Sequence, residues 1–436
     1  MAVSVLHKLA ATAPVPFFAA VGAGARERVE DLALSPGVER VASPRHASLL
    51  LVAGRFRASD QAALQQVHDQ LAHPRATLCW DTDAVLDLPD LDNLAADSDP
   101  VIAMQTHYRD LWAGTRATET HLLPDEPPVP WRGVGDNGQG GNGMMGGVPY
   151  GRPMPMPPQP DLRDGLNLDP YTARFGPFLP LLPPGLVLEL TLKGDVVQSA
   201  ATIEPPFGPS TTQAELFDRA RVEAVPIAPL ERGRAGHHLR CVAHVLDLLE
   251  LPARAERCRR MARDVEAGEA TDIAGLRRSL QGSGVLRAIP AGLGHMDETE
   301  TAALGGVVGR AASEAVDARV EQTAYADAGF EPVIQQAGDA RARVAQWLAE
   351  AEQAEGLARA AGEATLQADA LEPPWPEPPA GAGCSADVPD LAQHLPGLEW
   401  GEALMLLASF DSATLTRLLP VAQAEDEQAE HGAGHG

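Results

Sequence analysis

Nineteen of the 37 residues from Pro124 to Pro160 are glycine or proline, and this stretch constrains the fold more than any other. Proline removes a backbone donor and fixes φ, while glycine is the costliest residue to order, so no regular element persists through such a run. The chain is therefore expected to fold on either side of it, and 436 residues leave room for two or three domains. The expected partition is an α/β domain over 1–123, a Pro/Gly-rich linker over 124–170 and a mainly helical domain over 171–370. A second Pro-rich break, a short helical unit and an acidic tail fill 371–436. Met144, Met145 and Tyr150 give the linker apolar anchors that a purely solvated tether would not need.

Before the break, strand and helix signals alternate. His46 to Phe56 (HASLLLVAGRF) is a continuous apolar run, as a parallel strand needs when both faces of its sheet are covered. SDQAALQQVHDQLAHP reads as a helix with Ser59 as N-cap and Pro74 as stop, and Ala76 to Val85 reads as the next strand. A right-handed crossover joins such strands. Past the break, Leu186 to Leu192 and VVQSAATI flank the turn Lys193, Gly194, Asp195 as a hairpin. From Thr212 onward the period is helical. Leu239, Val242, Val245, Leu246 and Leu249 form one stripe that ends at Pro252. Gly338 to Ala364 reads as a long, partly exposed helix, and LPGLEWGEALMLLASFDSATLTRLL as two short ones. The predicted fold class is an α/β N-terminal domain with a flavodoxin-like parallel sheet, then a mainly α-helical domain that starts with a small β-hairpin.

The formal charge of −26 opposes binding to nucleic-acid phosphates or anionic lipid. No run reaches the roughly eighteen apolar residues that span a bilayer. Val15 to Ala25 is too short and has no basic leader, so a cytoplasmic chain without a direct membrane span is expected. The four cysteines, Cys79, Cys241, Cys258 and Cys384, include no Cys-x-x-Cys pair, and buried thiols are the simplest reading.

His237, Cys241 and His244, with His238 adjacent, could present three ligands to a metal from one helix. Placement of His and Cys at the border of an apolar stripe accounts for them more simply. No fourth ligand is readable, so no metal site is assigned. Gly22 and Gly24 offer Gly-x-Gly after a strand, but Arg28 stands where a dinucleotide fingerprint places its third glycine. No catalytic residue is assigned. On composition alone, Asp317 and Arg319 would be an ordinary surface ion pair.

Several segments together resemble the small and large subunits of the nickel-iron hydrogenase and respiratory complex I superfamily, fused into one chain. GVERVASPRHASLLLVAGRF (37–56) is similar to the small-subunit segment in which a Ser-Pro-Arg turn enters an apolar strand. RFGPFLPLLPPGLVLELTLKGDVVQSA (174–200) resembles the start of the large, quinone-site subunit. GGVVGRAASEAVDARVEQTAYADAGFEP (305–332) resembles that subunit's Gly-rich turn, Asp-x-Arg and Tyr-containing stretch. The resemblance makes a buried, ordered Asp317–Arg319 pair an equal alternative to a surface one.

The same comparison removes the redox ligands. FFAAVGAGARERVEDLAL has no cysteine where the small subunit carries cluster ligands, and a cluster needs thiolates. Phe178 to Pro183 stand where the complex I form carries histidines near the quinone, and leucine cannot donate a hydrogen bond. The resemblance implies a non-cluster-binding subunit of a hydrogenase-like or complex I-like membrane-associated oxidoreductase, with a structural or quinone-pocket role. No cofactor is expected in this chain itself; quinone is the ligand the family implies. Its partners would be the other subunits of a membrane-bound oxidoreductase or ion-translocating complex, and it would lie peripheral to the cytoplasmic membrane through them. The Pro/Gly-rich loop, the PFLPLLPPG segment and the C-terminal helices would be docking surfaces. The alternative is a stand-alone nucleotide-binding α/β oxidoreductase.

Overall fold

The structure, a computed structural model, describes residues 12–82, 91–116, 163, 170–208, 211–366, 371–374 and 388–421. The Gly/Pro stretch with Met144, Met145 and Tyr150, the second break with Cys384, the acidic tail and the end of the expected strand at Val85 lie outside these residues.

The N-terminal domain is built on five parallel strands: β1 (Val15–Val21), β2 (Val38–Arg40), β3 (Leu49–Gly54), β4 (Ala76–Thr82) and β5 (Leu91–Leu94). Their spatial order is β2-β1-β3-β4-β5, the flavodoxin-like order. All six residues of β3 are buried because helices or loops cover both faces. Leu49, Leu51 and Ala53 pack with Val29 of α1 (Arg26–Leu32) and with Met104, Tyr108 and Leu111 of α3 (Pro100–Ala113). Leu50 and Val52 point the other way, to Leu64 of α2 (Gln61–Asp69) and to Phe178 from the second domain.

Ser59 does not cap α2. A 3₁₀ turn over Ala58–Asp60 precedes the helix, and the Asp60 carboxylate accepts the Arg57 N–H at 2.9 Å. The Ser59 hydroxyl donates instead to Glu204 of the second domain at 2.9 Å. α2 ends at Asp69, before Pro74. Helix α3 follows the local rules: Asp99 caps it, Pro100 opens it, and Gly114 closes it at φ 70°.

The second domain starts with an antiparallel sheet of β6 (Tyr171–Phe175), β7 (Val187–Lys193) and β8 (Val196–Glu204), with Gly194 in the β7–β8 turn. Gly176 stands at φ 112°, where a Cβ would lie 1.9 Å from the Leu186 carbonyl oxygen, so only glycine allows the chain to leave β6 there. The predicted hairpin is thus part of a three-stranded sheet.

Helices α4 (Thr211–Ala220), α5 (Ile227–Leu248), α6 (Pro252–Glu266) and α7 (Ile273–Gly282) follow. After them come α8 (Glu298–Leu304), α9 (Gly306–Ala311), α10 (Thr323–Asp327) and α11 (Ala340–Ala360). A two-stranded pairing of β9 (Val225–Pro226) with β10 (Thr365–Leu366) closes this region. The stripe Leu239, Val242, Val245 and Leu246 is buried in one core with Val265 of α6, Trp347 and Ala351 of α11 and Leu293.

The long, partly exposed helix expected over Gly338 to Ala364 is α11, exposed at its C-terminal end at Gly356, Arg359 and Ala360. Most of α11 is buried, because its alanines let neighbouring helices approach closely and its Glu350 finds partners on other elements. Helices α12 (Trp400–Ala408) and α13 (Ser412–Leu418) match the two predicted, and their Leu406, Leu407, Leu415 and Leu418 enter the same core. Their buried faces pack inside the molecule, while Gly401 and Thr416 stay exposed. PFLPLLPPG likewise turns inward at Phe178 and Leu182, leaving Leu181 at 39% exposure. Among the described residues, no helix is long and apolar enough to cross a membrane.

Candidate functional site

Two arrangements of charge in the helical domain bear on function. The first contains Asp317 and Arg319, which the structure brings together deep inside the domain. Arg319 donates from Nε to Asp317 Oδ1 at 3.0 Å and from Nη2 to Oδ2 at 2.8 Å. It turns its remaining edge to Glu231 of α5, Nη1 to Oε2 at 3.1 Å. Asp317 also caps the 3₁₀ turn over Ala318–Glu321, which explains why the two residues sit two positions apart.

From there the array spreads through residues that sequence reasoning missed. Tyr325 donates to Glu231 at 2.7 Å, and Arg234 approaches the same carboxylate at 3.3 Å. Arg310 of α9 reaches Asp317 at 3.0 Å and Glu350 of α11 at 2.8 Å. His238 Nε2 lies 3.2 Å from Glu350, and Gln346 donates to it at 2.7 Å. Phe330 covers the Arg319 guanidinium at 4.2 Å.

Three guanidinium groups thus face three carboxylates, with side chains at most 2% exposed. Burial alone would neutralise these groups, but pairing reverses that. Despite burial, Arg234 and Arg319 hold Glu231 below the ordinary glutamate range, and Arg319 does the same for Asp317. Arg310 and His238 hold Glu350 well below its ordinary range, and Glu231 and Asp317 raise Arg319 well above its own. Burial keeps His238 neutral against the pull of Glu350. Chemically, the array is a neutral clamp that ties α5, α9 and α11 to the Asp317 turn. The one sequence signal for its missed members was charge inside apolar context, as in VVGRA around Arg310 and IAPLERGRAG around Glu231 and Arg234.

The second arrangement lies where the two domains meet. A cavity of about 700 Å³ opens between α1 and β2 on one side and α5, α6 and the 177–184 loop on the other. Phe178, Leu179 and Leu182 give it an apolar wall, with Val38 facing them. Its opposite end is charged. Arg26 pairs with Glu30 at 3.1 Å, Glu30 with Arg240 of α5 at 3.3 Å, and Arg259 of α6 with Asp247. Burial pushes the Glu30 carboxyl up, but Arg26, Arg259 and Arg240 outweigh it and bring it down to about 2.

Of the suggested metal ligands, His237 Nε2 and Cys241 Sγ lie 3.8 Å apart beside a separate hollow of about 40 Å³, whereas His244 lines the large cavity. Burial raises the Cys241 thiol. Among the described residues, no cluster of three or more His, Cys, Asp or Glu could hold a metal ion. Cys79, Cys241 and Cys258 are free and buried.

The Gly-x-Gly segment has a packing explanation. A Cβ on Gly22 would lie 2.6 Å from the Arg55 carbonyl oxygen, and Ala23 forms a bridge with Arg55. Arg28 binds Asp81 at 2.7 Å and lies over Trp80 at 4.4 Å, so it projects away from that turn's hollow. Gly22 thus makes room for the Arg55 backbone where β3 exits.

Compared with known proteins, the chain matches no family model, and no curated protein matches it.

Proposed function

We propose that this chain is a non-cluster-binding subunit of a hydrogenase-like or complex I-like oxidoreductase assembly at the membrane, with the interdomain cavity as its quinone pocket. The observation that carries the reading is the joint itself. The loop that leaves β6 at Gly176 crosses to the sheet domain, where Phe178 meets Phe56 at 5.8 Å, and it closes a cavity of about 700 Å³. That volume suits a small organic ligand, and an apolar wall facing a charged end suits one with a greasy body and a polar head.

The resemblance of 37–56, 174–200 and 305–332 to the two subunits, in that order, adds support. The chain would contribute shape and a binding surface. Electrons would come from partner subunits, because the segment after β1 carries no cluster cysteines. Such partners would also hold it at the cytoplasmic face of the membrane.

Affinity purification of the tagged full chain from native membranes under mild detergent tests this reading. Recovery with redox-centre or membrane-helix subunits in fixed ratio is expected. Recovery solely as a free monomer would overturn it.

A further inference from the structure

We propose that Arg40 and His244 form a head-group subsite in the interdomain cavity, one that binds an amphiphile through hydrogen-bond-accepting oxygen atoms. The inference builds on the pocket reading above and names the residues and head-group chemistry.

Arg40 closes β2 and lines the cavity. The other arginines there are committed: Arg26 to Glu30, Arg259 to Asp247, Arg260 to Glu256. Arg40 differs. Among the described residues, its guanidinium has neither a hydrogen-bond nor an ion-pair partner. Burial pushes its pKa down, and only the more distant charges of Glu30 and Asp247 oppose that. Its five N–H donors make no bond within the described residues, so they are available to an acceptor in the cavity.

His244 enters the same cavity from α5, with Nε2 buried and without a partner. Burial and nearby arginines bring its pKa down to about 3, so near neutrality the ring has one N–H and one lone pair. A strand and a helix from different domains thus bring Arg40 and His244 to the lining of one space whose far wall is Phe178, Leu179 and Leu182. The complementary ligand has an apolar body and a compact oxygen head, either the neutral carbonyl of a quinone or a carboxylate.

Calorimetric titration of the full chain with decylubiquinone and, separately, with laurate tests the subsite. Saturable binding of at least one is expected, weakened about tenfold or more in Arg40→Met and in His244→Phe. Because Arg40 has no partner among the described residues, Arg40→Met should keep the melting temperature of the parent, and Arg40→Gln provides a second variant if the first does not fold. Laurate binding without decylubiquinone binding would support the subsite and remove the quinone role. Decylubiquinone binding that is unchanged in the Arg40 variants would support the quinone role and overturn the subsite. Saturable binding of neither ligand would overturn it too.

Discussion

Arg319 and Glu231 are separated by 88 positions in the chain, yet their side chains meet at 3.1 Å with exposures of 2% and 0%. The contact fastens α5 to the Asp317 turn. Removing Arg319 would leave Glu231 with Arg234 and Tyr325 and Asp317 with Arg310, each buried and one counterion short.

Arg319→Ala should therefore destabilise the protein by about 3–5 kcal/mol, the range for a buried pair broken on one side. Adding Glu231→Ala should cost less than the sum of the single changes, with a coupling of about 0.5–3 kcal/mol. Urea unfolding of the four proteins of this cycle measures it. No destabilisation in Arg319→Ala would show that the clamp does not hold the domain.

Acid should weaken the joint between the domains through Glu30. Its carboxyl lies at about 2 when folded against an ordinary 4.5, so its contribution is complete above pH 4.5 and is lost as pH falls toward 2. The shift corresponds to about 3 kcal/mol. The stability gap between the parent and Glu30→Gln should shrink between pH 6 and pH 3; a constant gap would count against the pairing with Arg26 and Arg240.

His244 should act at higher pH. Its folded value of about 3 lies below the ordinary 6.5, so the unfolded chain gains a proton first and stability falls as pH drops from 6.5 toward 3. In His244→Gln, chemical denaturation midpoints should decline less over that window than in the parent. An identical decline in both would place the acid sensitivity elsewhere, for instance at His237, which burial also keeps neutral.

Arg57 spans the same joint through backbone carbonyls and an ion pair with Glu204 at 3.6 Å. It donates to the carbonyls of Gly185 at 2.9 Å and Pro205 at 2.5 Å and lies over Phe207 at 4.5 Å. Arg57→Ala should speed amide hydrogen exchange in 185–207 while β3 and β4 keep their protection, at a cost of about 1–3 kcal/mol. Unchanged exchange in that segment would mean that the joint does not depend on Arg57.

Gly22→Ala separates packing from phosphate binding. An added methyl meets the Arg55 backbone, so a loss of about 1–3 kcal/mol in stability is expected, with no saturable NADH binding by either protein. Full stability together with NADH binding lost only in the variant would restore the nucleotide reading.

The parallel sheet, the hairpin and the helical stripe of α5 were legible because each leaves a local signal. β3 is a continuous apolar run, Gly194 marks a turn, and Leu239 to Leu246 repeat with the helical period. Ser59 misled because a hydroxyl before a helix is a capping signal only if no better partner approaches, and Glu204 does. Glu350 misled in the same way: charges one turn apart on an Ala-rich helix suggest a solvated face, but Arg310 and His238 come to it from other elements.

By itself, the amino-acid sequence determined which stretches form strands, turns and helices, since backbone freedom and apolar period act over a few neighbouring residues. It also paired Asp317 with Arg319, two positions apart. Only the tertiary structure decided that this pair is buried, that Glu231 and Arg310 complete it, and that Arg40 lines a cavity with no partner among the described residues. Those outcomes depend on which charges the fold brings together across dozens of residues and on how much water it excludes around them, and neither quantity is encoded in local order along the chain.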